Sequence, residues 1–149
     1  MQAVLTADEH DAFCEICNIA MGQASRALAL FLDHVIKLSV PEVSILAADG
    51  LDDFLVELFA ADQMTSLVRQ SFYGPVSGEV IACHSRGPAD DMALVLGYHG
   101  ARNVAAQREF ILDLSSLLCG AVLNSIGEQL GMEMAFSAPS PIDSLDHLR

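Results

Sequence analysis

Apolar side chains recur at helical spacing near the start of the chain. Thr6 followed by Glu9 is the signature of a capping box, so we predict that a helix begins here and continues to about Leu32. At about 100° per residue, seven apolar residues share one broad face. They are Phe13, Ile16, Cys17, Ala20, Ala24, Ala27 and Phe31. We expect this stripe to be buried.

A second stripe on the same predicted helix is polar or small. Its members are three or four positions apart: Asp11, Glu15, Asn18, Gly22 and Ser25. Residues at these spacings are neighbours on a helix surface. An ordinary solvated face has this pattern too, so the stripe alone does not define a site.

The rest of the chain alternates between strand-like and helix-like patterns. We predict strands at 35–40, ended by Pro41, at 65–73, at 79–84 and at 132–137. Residues 74–78 form a turn between the second and third of these strands. We predict further helices at 51–59, 88–96 and 104–130, with a loop at 97–103. Gly131 is expected to end the last of these helices.

An internal repeat relates the two long helices. A shift of 98 positions, without a gap, places Glu15 on Asp113, Asn18 on Ser116, Gly22 on Gly120, Leu28 on Ile126, Ser39 on Ser137 and Pro41 on Pro139. Chance similarity between amphipathic helices is the alternative, and the matching glycines and prolines make it weaker. We therefore predict an α+β fold with a pseudo-two-fold axis, in which two long helices pack on a mainly antiparallel sheet.

The expected organisation is one domain covering residues 1–149. It comprises repeat 1 at about 8–41, a strand and turn segment at about 62–97, and a degenerate repeat 2 at about 104–141. With 149 residues, 52% of them hydrophobic, the chain is long enough for one core.

Charge narrows the class of partner. The formal net charge is −13, with 20 Asp and Glu against 7 Lys and Arg. Such a chain repels nucleic-acid phosphates and anionic lipids but attracts a basic docking surface. We find no run of the roughly 18 apolar residues that a membrane span needs, and no basic signal-peptide region at the N-terminus. Four cysteines without a secretory signal fit a reducing compartment, so we expect a cytoplasmic protein.

The cysteines offer one competing interpretation. Cys14 and Cys17 form a CxxC pair, a pattern found in zinc and redox sites. The pair is predicted to lie inside a helix, whereas redox pairs lie at helix N-termini. Histidines are scattered singly and no second CxxC follows. Cys83 and Cys119 are expected to be small buried apolar residues.

The spacing of the polar stripe resembles a known signature. Asp11, Glu15 and Asn18, followed after twenty-two residues by Pro41, match the pattern of the CheC/CheX/FliY phosphatases of bacterial chemotaxis, and the chain is most similar to CheC. The string from Glu15 to Ile19 looks like their Glu-Ile-Gly-Asn-Ile, with Cys17 in place of the glycine. Residues 68–78 also resemble the strand and turn in the middle of CheC proteins.

The resemblance implies an activity and a role for each residue. The family hydrolyses the aspartyl phosphate of CheY-type response regulators, so Asn18 would orient the attacking water and Glu15 would pair with a lysine of the partner. Asp11, Gly22 and Pro41 would belong to the partner-binding surface. No metal site or cofactor of its own is expected, since the response regulator would supply Mg²⁺.

The sequence departs from the family at two places. Asp113 and Ser116 make the second site degenerate, and we expect it to be weak or inactive. CheC proteins continue with a strand pair and a helix, whereas this sequence ends eight residues after Pro141. Either the sequence is shortened, or another subunit of a homodimer completes the sheet. The competing function is a non-catalytic adaptor that binds a response regulator, the flagellar switch or a CheD-like deamidase.

Overall fold

The computed structural model describes residues 5–62, 64–85 and 104–143. The elements in chain order are α1 (Ala7–Leu32), a 3-10 turn (Ala48–Gly50), α2 (Leu51–Asp62), β1 (Met64–Tyr73), β2 (Gly78–Ser85), α3 (Val104–Leu130), β3 (Ala135–Phe136) and β4 (Ser140–Ile142). These bounds confirm both long helices, the short acidic helix and the central hairpin. The predicted helix at 88–96 and the loop at 97–103 lie outside the described residues.

Local hydrogen bonds define both ends of α1. The backbone N–H of Thr6 donates to the Glu9 carboxylate over 2.8 Å, and the Glu9 N–H donates to Thr6 Oγ1 over 3.3 Å. The predicted capping box is therefore confirmed. The Thr6 backbone hydrogen bond, followed by that of its side chain, lowers the pKa of Glu9. Asp33, in the left-handed region with a φ of 53°, ends the helix.

The sheet is antiparallel and centred on β1. Along one side β1 pairs with β2, for example Leu67 with Cys83. Along the other side it pairs with β3 near one end and with β4 farther along. The predicted fold class, helices packed on a mainly antiparallel sheet, is confirmed.

The two long helices pack against each other. Leu28 and Leu32 from the end of α1 cluster with Phe110 and Leu114 from the start of α3, and each is at most 3% exposed. At the other end, Gln129 Nε2 donates to the Ile16 carbonyl over 3.1 Å. The helices therefore run antiparallel. Burial of a large apolar side chain contributes about 1.5–3 kcal/mol, so this cluster is a main source of stability.

The buried face of α1 differs in part from the predicted stripe. Ala20 and Ala24 are buried as expected, but Phe31 is 43% exposed. Leu28 and Leu32 take the expected place of Phe31, since α3 contacts a row of residues spaced by four, a common ridge in helix packing. The other predicted members, Phe13, Ile16, Cys17 and Ala27, are half-buried.

Two strand predictions need correction. Residues 35–47 have no regular secondary structure, so the predicted strand at 35–40 is wrong. A strand requires a neighbour for its backbone groups, and within the described ranges every recorded strand pairing involves β1. The strand predicted at 132–137 is limited to Ala135–Phe136. β4 was not predicted, because it contains Pro141, which lies opposite Val68.

α3 also changes the membrane expectation. Over Ala105–Leu130 this helix is long and apolar enough to cross a membrane by length and composition alone, contrary to the expectation from uninterrupted apolar runs. The core helix of a globular domain can meet the same test. In the structure α3 contacts α1, β1 and β2, and its Leu114 and Ser115 are fully buried.

Candidate functional site

The polar stripe of α1 faces solvent. Asp11, Glu15, Asn18 and Gly22 are all exposed, and the Asp11 side chain is 88% accessible. Each lies three or four residues from the next, which places neighbouring Cβ atoms about 5–6 Å apart. The helix therefore presents two carboxylates and one amide along a single line, away from the core.

A groove opens beside the amide. It has a volume of about 310 Å³ and lies between α1 and the irregular segment that follows the helix. From α1 it is lined by Asn18, Met21, Gly22 and Ser25; from the segment it is lined by Lys37, Leu38, Ser39 and Val40. The structure thus brings Asn18 and Gly22 together with the residues that directly precede Pro41.

One hydrogen bond holds the two walls of this groove together. Ser25 Oγ donates to the Ile36 carbonyl over 2.7 Å. The segment is therefore fixed to the helix by a side chain and not by strand pairing. Pro41, which is half-buried, follows the groove wall directly.

Gly22 is not required by the packing of the chain itself. A Cβ atom built at Gly22 would meet no heavy atom within 4 Å. Its lack of a side chain keeps the exposed surface beside Asn18 flat. Any steric reason for a glycine must come from outside this molecule.

The second copy of the motif has different surroundings. Asp113 is exposed and Ser116 half-buried. Phe136 pairs with Phe72 in the sheet, and Ser71 donates its N–H to Ser137 Oγ over 3.0 Å. The segment after α3 is therefore part of the sheet, whereas the segment after α1 forms one wall of the groove.

Of the two thiols near the stripe, Cys17 has reduced nucleophilic character. Cys14 and Cys17 are free and half-buried inside α1, and Cys14 Sγ lies 3.6 Å from His10 Nδ1. Burial, and then the neighbouring Cys14, raise the pKa of Cys17, which reduces the thiolate fraction needed for metal or redox chemistry. Burial also raises the pKa of Cys83 and of Cys119. In the three described ranges no group of three or more His, Cys, Asp or Glu could hold a metal ion.

Sequence reasoning missed two features of the molecule. Lys37 was assigned only to a strand, yet it lines the groove with Asn18. It is the single lysine of the chain, and this rarity is a sequence signal that could have drawn attention to it. The other feature is a buried contact between β2 and α3, in which His84 Nε2 lies 2.7 Å from Ser115 Oγ.

Comparisons with known proteins agree with the motif and the fold. The model of the CheC-like family matches residues 9–45, which include the whole motif from Asp11 to Pro41. The crystal structure of FliY from Thermotoga maritima is similar with a TM-score of 0.69 and 21% sequence identity, over 94% of this chain and 70% of that chain. A search of curated proteins found no match. The resemblance to the CheC/CheX/FliY family is therefore confirmed for the first helix and its proline, and the fold agrees over most of the chain.

Proposed function

We propose that this chain is a cytoplasmic chemotaxis phosphatase that hydrolyses the aspartyl phosphate of a CheY-type response regulator. The proposal is supported by the CheC-like first unit and by a fold similar to that of FliY. The observation that carries the proposal is the position of Asn18. Its amide is exposed at an open groove, one helical turn from the Glu15 carboxylate and away from the core. That arrangement can enter the active site of another protein.

The amide of Asn18 suits the reaction. Hydrolysis needs a water molecule in line with the phosphorus and opposite the departing carboxylate. An amide both donates and accepts hydrogen bonds, so it can orient this water without adding a negative charge beside the phosphoryl oxygens. The Mg²⁺ that such regulators need would be bound by the regulator.

The carboxylates serve docking in this proposal. Glu15 pairs with a lysine beside the phosphorylated aspartate of the partner and sets the register in which Asn18 enters. Asp11 extends the acidic edge by one turn. The formal net charge of −13 favours the approach of a basic surface and makes the association rate dependent on salt.

Gly22 and Pro41 shape the docking surface. Gly22 gives the partner's backbone room to approach the helix, as its empty surroundings allow. Pro41 ends the segment that forms the groove wall. At the second copy, Ser116 reaches less far than an amide, so we assign one working site to each chain.

The test measures phosphate release from a phosphorylated CheY-type receiver domain with Mg²⁺ present. Wild type should accelerate phosphate release. Asn18→Ala should lower the rate of this accelerated release at least about 100-fold, because misplacing reacting groups costs about this much in rate. Ser116→Ala is the matched control and should retain full activity. If wild type gives no acceleration, or if Asn18→Ala is as fast as wild type, the catalytic proposal fails. Binding without acceleration would instead identify an adaptor.

A further inference from the structure

The single lysine of this chain lies at the groove that contains the proposed catalytic amide. Lys37 is exposed and lines the groove opposite Asn18 and Gly22. Of the ion pairs recorded among the described residues, none involves Lys37: they join His10 to Asp11, Arg69 to Glu79, and Arg108 to Asp143. Its ammonium group is therefore available to a ligand.

The backbone beside Lys37 is held in place. Ser25 Oγ binds the carbonyl of Ile36, the preceding residue, over 2.7 Å, and Leu38 packs against the core cluster. The two neighbours anchor the segment, while the lysine side chain between them is exposed. This arrangement fixes where the cation emerges and leaves its flexible stem free to adjust to a ligand.

The second unit of the chain lacks both groups. The position equivalent to Lys37 is Ala135, and the position equivalent to Asn18 is Ser116. The cation and the amide therefore occur together at the groove of the first unit, and neither side chain is present at the equivalent positions of the second unit. This co-occurrence links Lys37 to the chemistry of the groove.

Electrostatics gives the lysine a specific task. A phosphoryl group carries a charge of about −1.5 to −2 and would approach a helix that already displays Asp11 and Glu15. A chain with 20 acidic and 7 basic residues repels such a ligand. A lysine ammonium is an effective point-charge partner for phosphate oxygens, and it offsets this repulsion at short range.

We propose that Lys37 binds the phosphoryl oxygens of the partner's aspartyl phosphate and thereby selects the phosphorylated over the unphosphorylated regulator. This inference rests on the proposed function. In the reaction, water forms a bond to phosphorus and the bond from phosphorus to the aspartyl oxygen breaks. The products are inorganic phosphate and a free carboxylate, and Lys37 keeps its proton throughout.

The first test compares affinities for two forms of a CheY-type receiver domain, with Mg²⁺ and either with or without beryllofluoride as the phosphoryl mimic. Lys37→Ala should weaken binding of the beryllofluoride form about tenfold and leave the other form unchanged within about twofold, as expected for loss of one charge-assisted hydrogen bond. Lys37→Arg should retain most of the preference. Arg69→Ala removes an equal charge from β1, outside the groove lining, and should change neither affinity.

The second test observes the lysine directly. Reductive methylation with ¹³C-formaldehyde labels only Lys37 and the N-terminal amine, and it preserves the positive charge. The Lys37 methyl signal should shift on addition of the unlabelled beryllofluoride-loaded receiver. It should not shift with the unloaded receiver.

The outcomes separate this inference from the proposed function. If Lys37→Ala weakens binding to the receiver equally with and without beryllofluoride, the lysine pairs with a carboxylate of the partner and the inference is wrong. If the variant retains the full preference, or the methyl signal stays unchanged, the inference is also wrong. If wild type fails to accelerate phosphate release but shows the Lys37-dependent preference, the phosphatase proposal fails and this inference stands.

Discussion

The two helix-and-proline units of this chain differ most in the segment that follows each helix. After α3, Phe136 and Ala135 pair with β1, and the Ser137 N–H donates to the Ser71 carbonyl over 3.0 Å. After α1, the equivalent residues 37–39 have no regular secondary structure and border a groove. The same sequence pattern thus contributes to the sheet in one unit and to an accessible surface in the other.

The two helices also differ in how closely they are joined to the sheet. Ser115, fully buried on α3, contacts His84 of β2 and donates to the Ile111 carbonyl, each over 2.7 Å. The equivalent position on α1 is Cys17, which is half-buried next to the exposed Asn18. The second helix is therefore tied to the sheet by a polar contact, and the first presents the corresponding region toward solvent. We expect the first unit to carry function and the second to carry structure.

The largest expected effect comes from exchanging the motifs. A triple variant, Asn18→Ser with Asp113→Glu and Ser116→Asn, moves the family residues into the second unit. Because the segment after α3 is occupied by sheet pairing, we expect the triple variant to be as inactive as Asn18→Ala, a loss of at least about 100-fold. Phosphate release from a phosphorylated receiver measures it. Recovery of activity would show that the side chains alone suffice and that the groove does not matter.

A smaller effect should distinguish the two serines that follow the helices. Ser137 Oγ accepts the Ser71 N–H, so Ser137→Ala leaves a backbone donor without its partner and should cost about 1–3 kcal/mol of unfolding free energy. Ser39 is exposed at the groove, and Ser39→Ala should change stability by less than about 0.5 kcal/mol. Urea unfolding of both variants provides the comparison. Equal losses would mean that the two segments are equally integrated into the fold.

The equivalent glycines provide the next comparison. Neither Gly22 nor Gly120 has an atom within 4 Å of an added Cβ, so either substitution by alanine should raise stability by up to about 1 kcal/mol through helix propensity. Gly22→Ala should nevertheless lower the phosphate-release rate several-fold, because the methyl group obstructs the partner. Gly120→Ala should leave that rate unchanged. A rate loss in both variants, or in neither, would argue against docking at the first unit.

The sequence predicted the elements that local interactions determine. The capping box, the spacing of apolar residues and Gly131 located the long helices, and alternation around a glycine-rich turn located the central hairpin. The local alternation at 35–40 could not show whether this segment forms a strand, because a strand needs a distant partner for its backbone hydrogen bonds. The exposure of Phe31 was missed for a related reason, since the contact with α3 selects which side of the helix is buried.

The candidate site was predictable to the same extent. The spacing of Asp11, Glu15 and Asn18 placed them on one exposed face, as found. Lys37 was not associated with them, because a strand assignment concealed its position in the groove. The hydrogen bond from Ser25 to Ile36, which sets that position, joins residues eleven apart and leaves no periodic signal.

The smallest predicted effect tests the polar contact that distinguishes α3 from α1. Ser115 Oγ donates to the Ile111 carbonyl over 2.7 Å and lies 2.7 Å from His84 Nε2, an arrangement that suits the neutral ring with its proton on Nε2. Burial lowers the pKa of His84 below its ordinary value of 6.5, since the charged ring loses hydration in the fold. As the pH falls below about 6.5, the unfolded chain binds more protons at this residue than the folded chain does, and stability decreases.

His84→Gln should remove this part of the pH dependence, because an amide can donate to Ser115 but does not titrate in this range. The measurement is the melting temperature of wild type and variant between pH 7.5 and about pH 5. The melting temperature of wild type should fall toward that of the variant, or below it, as the pH is lowered. Wild type loses the contribution of the neutral ring, and the variant has no such contribution to lose. Parallel curves would show that the pKa of His84 is not lowered in the fold, and that this contact does not set α3 apart from α1 through a buried neutral ring.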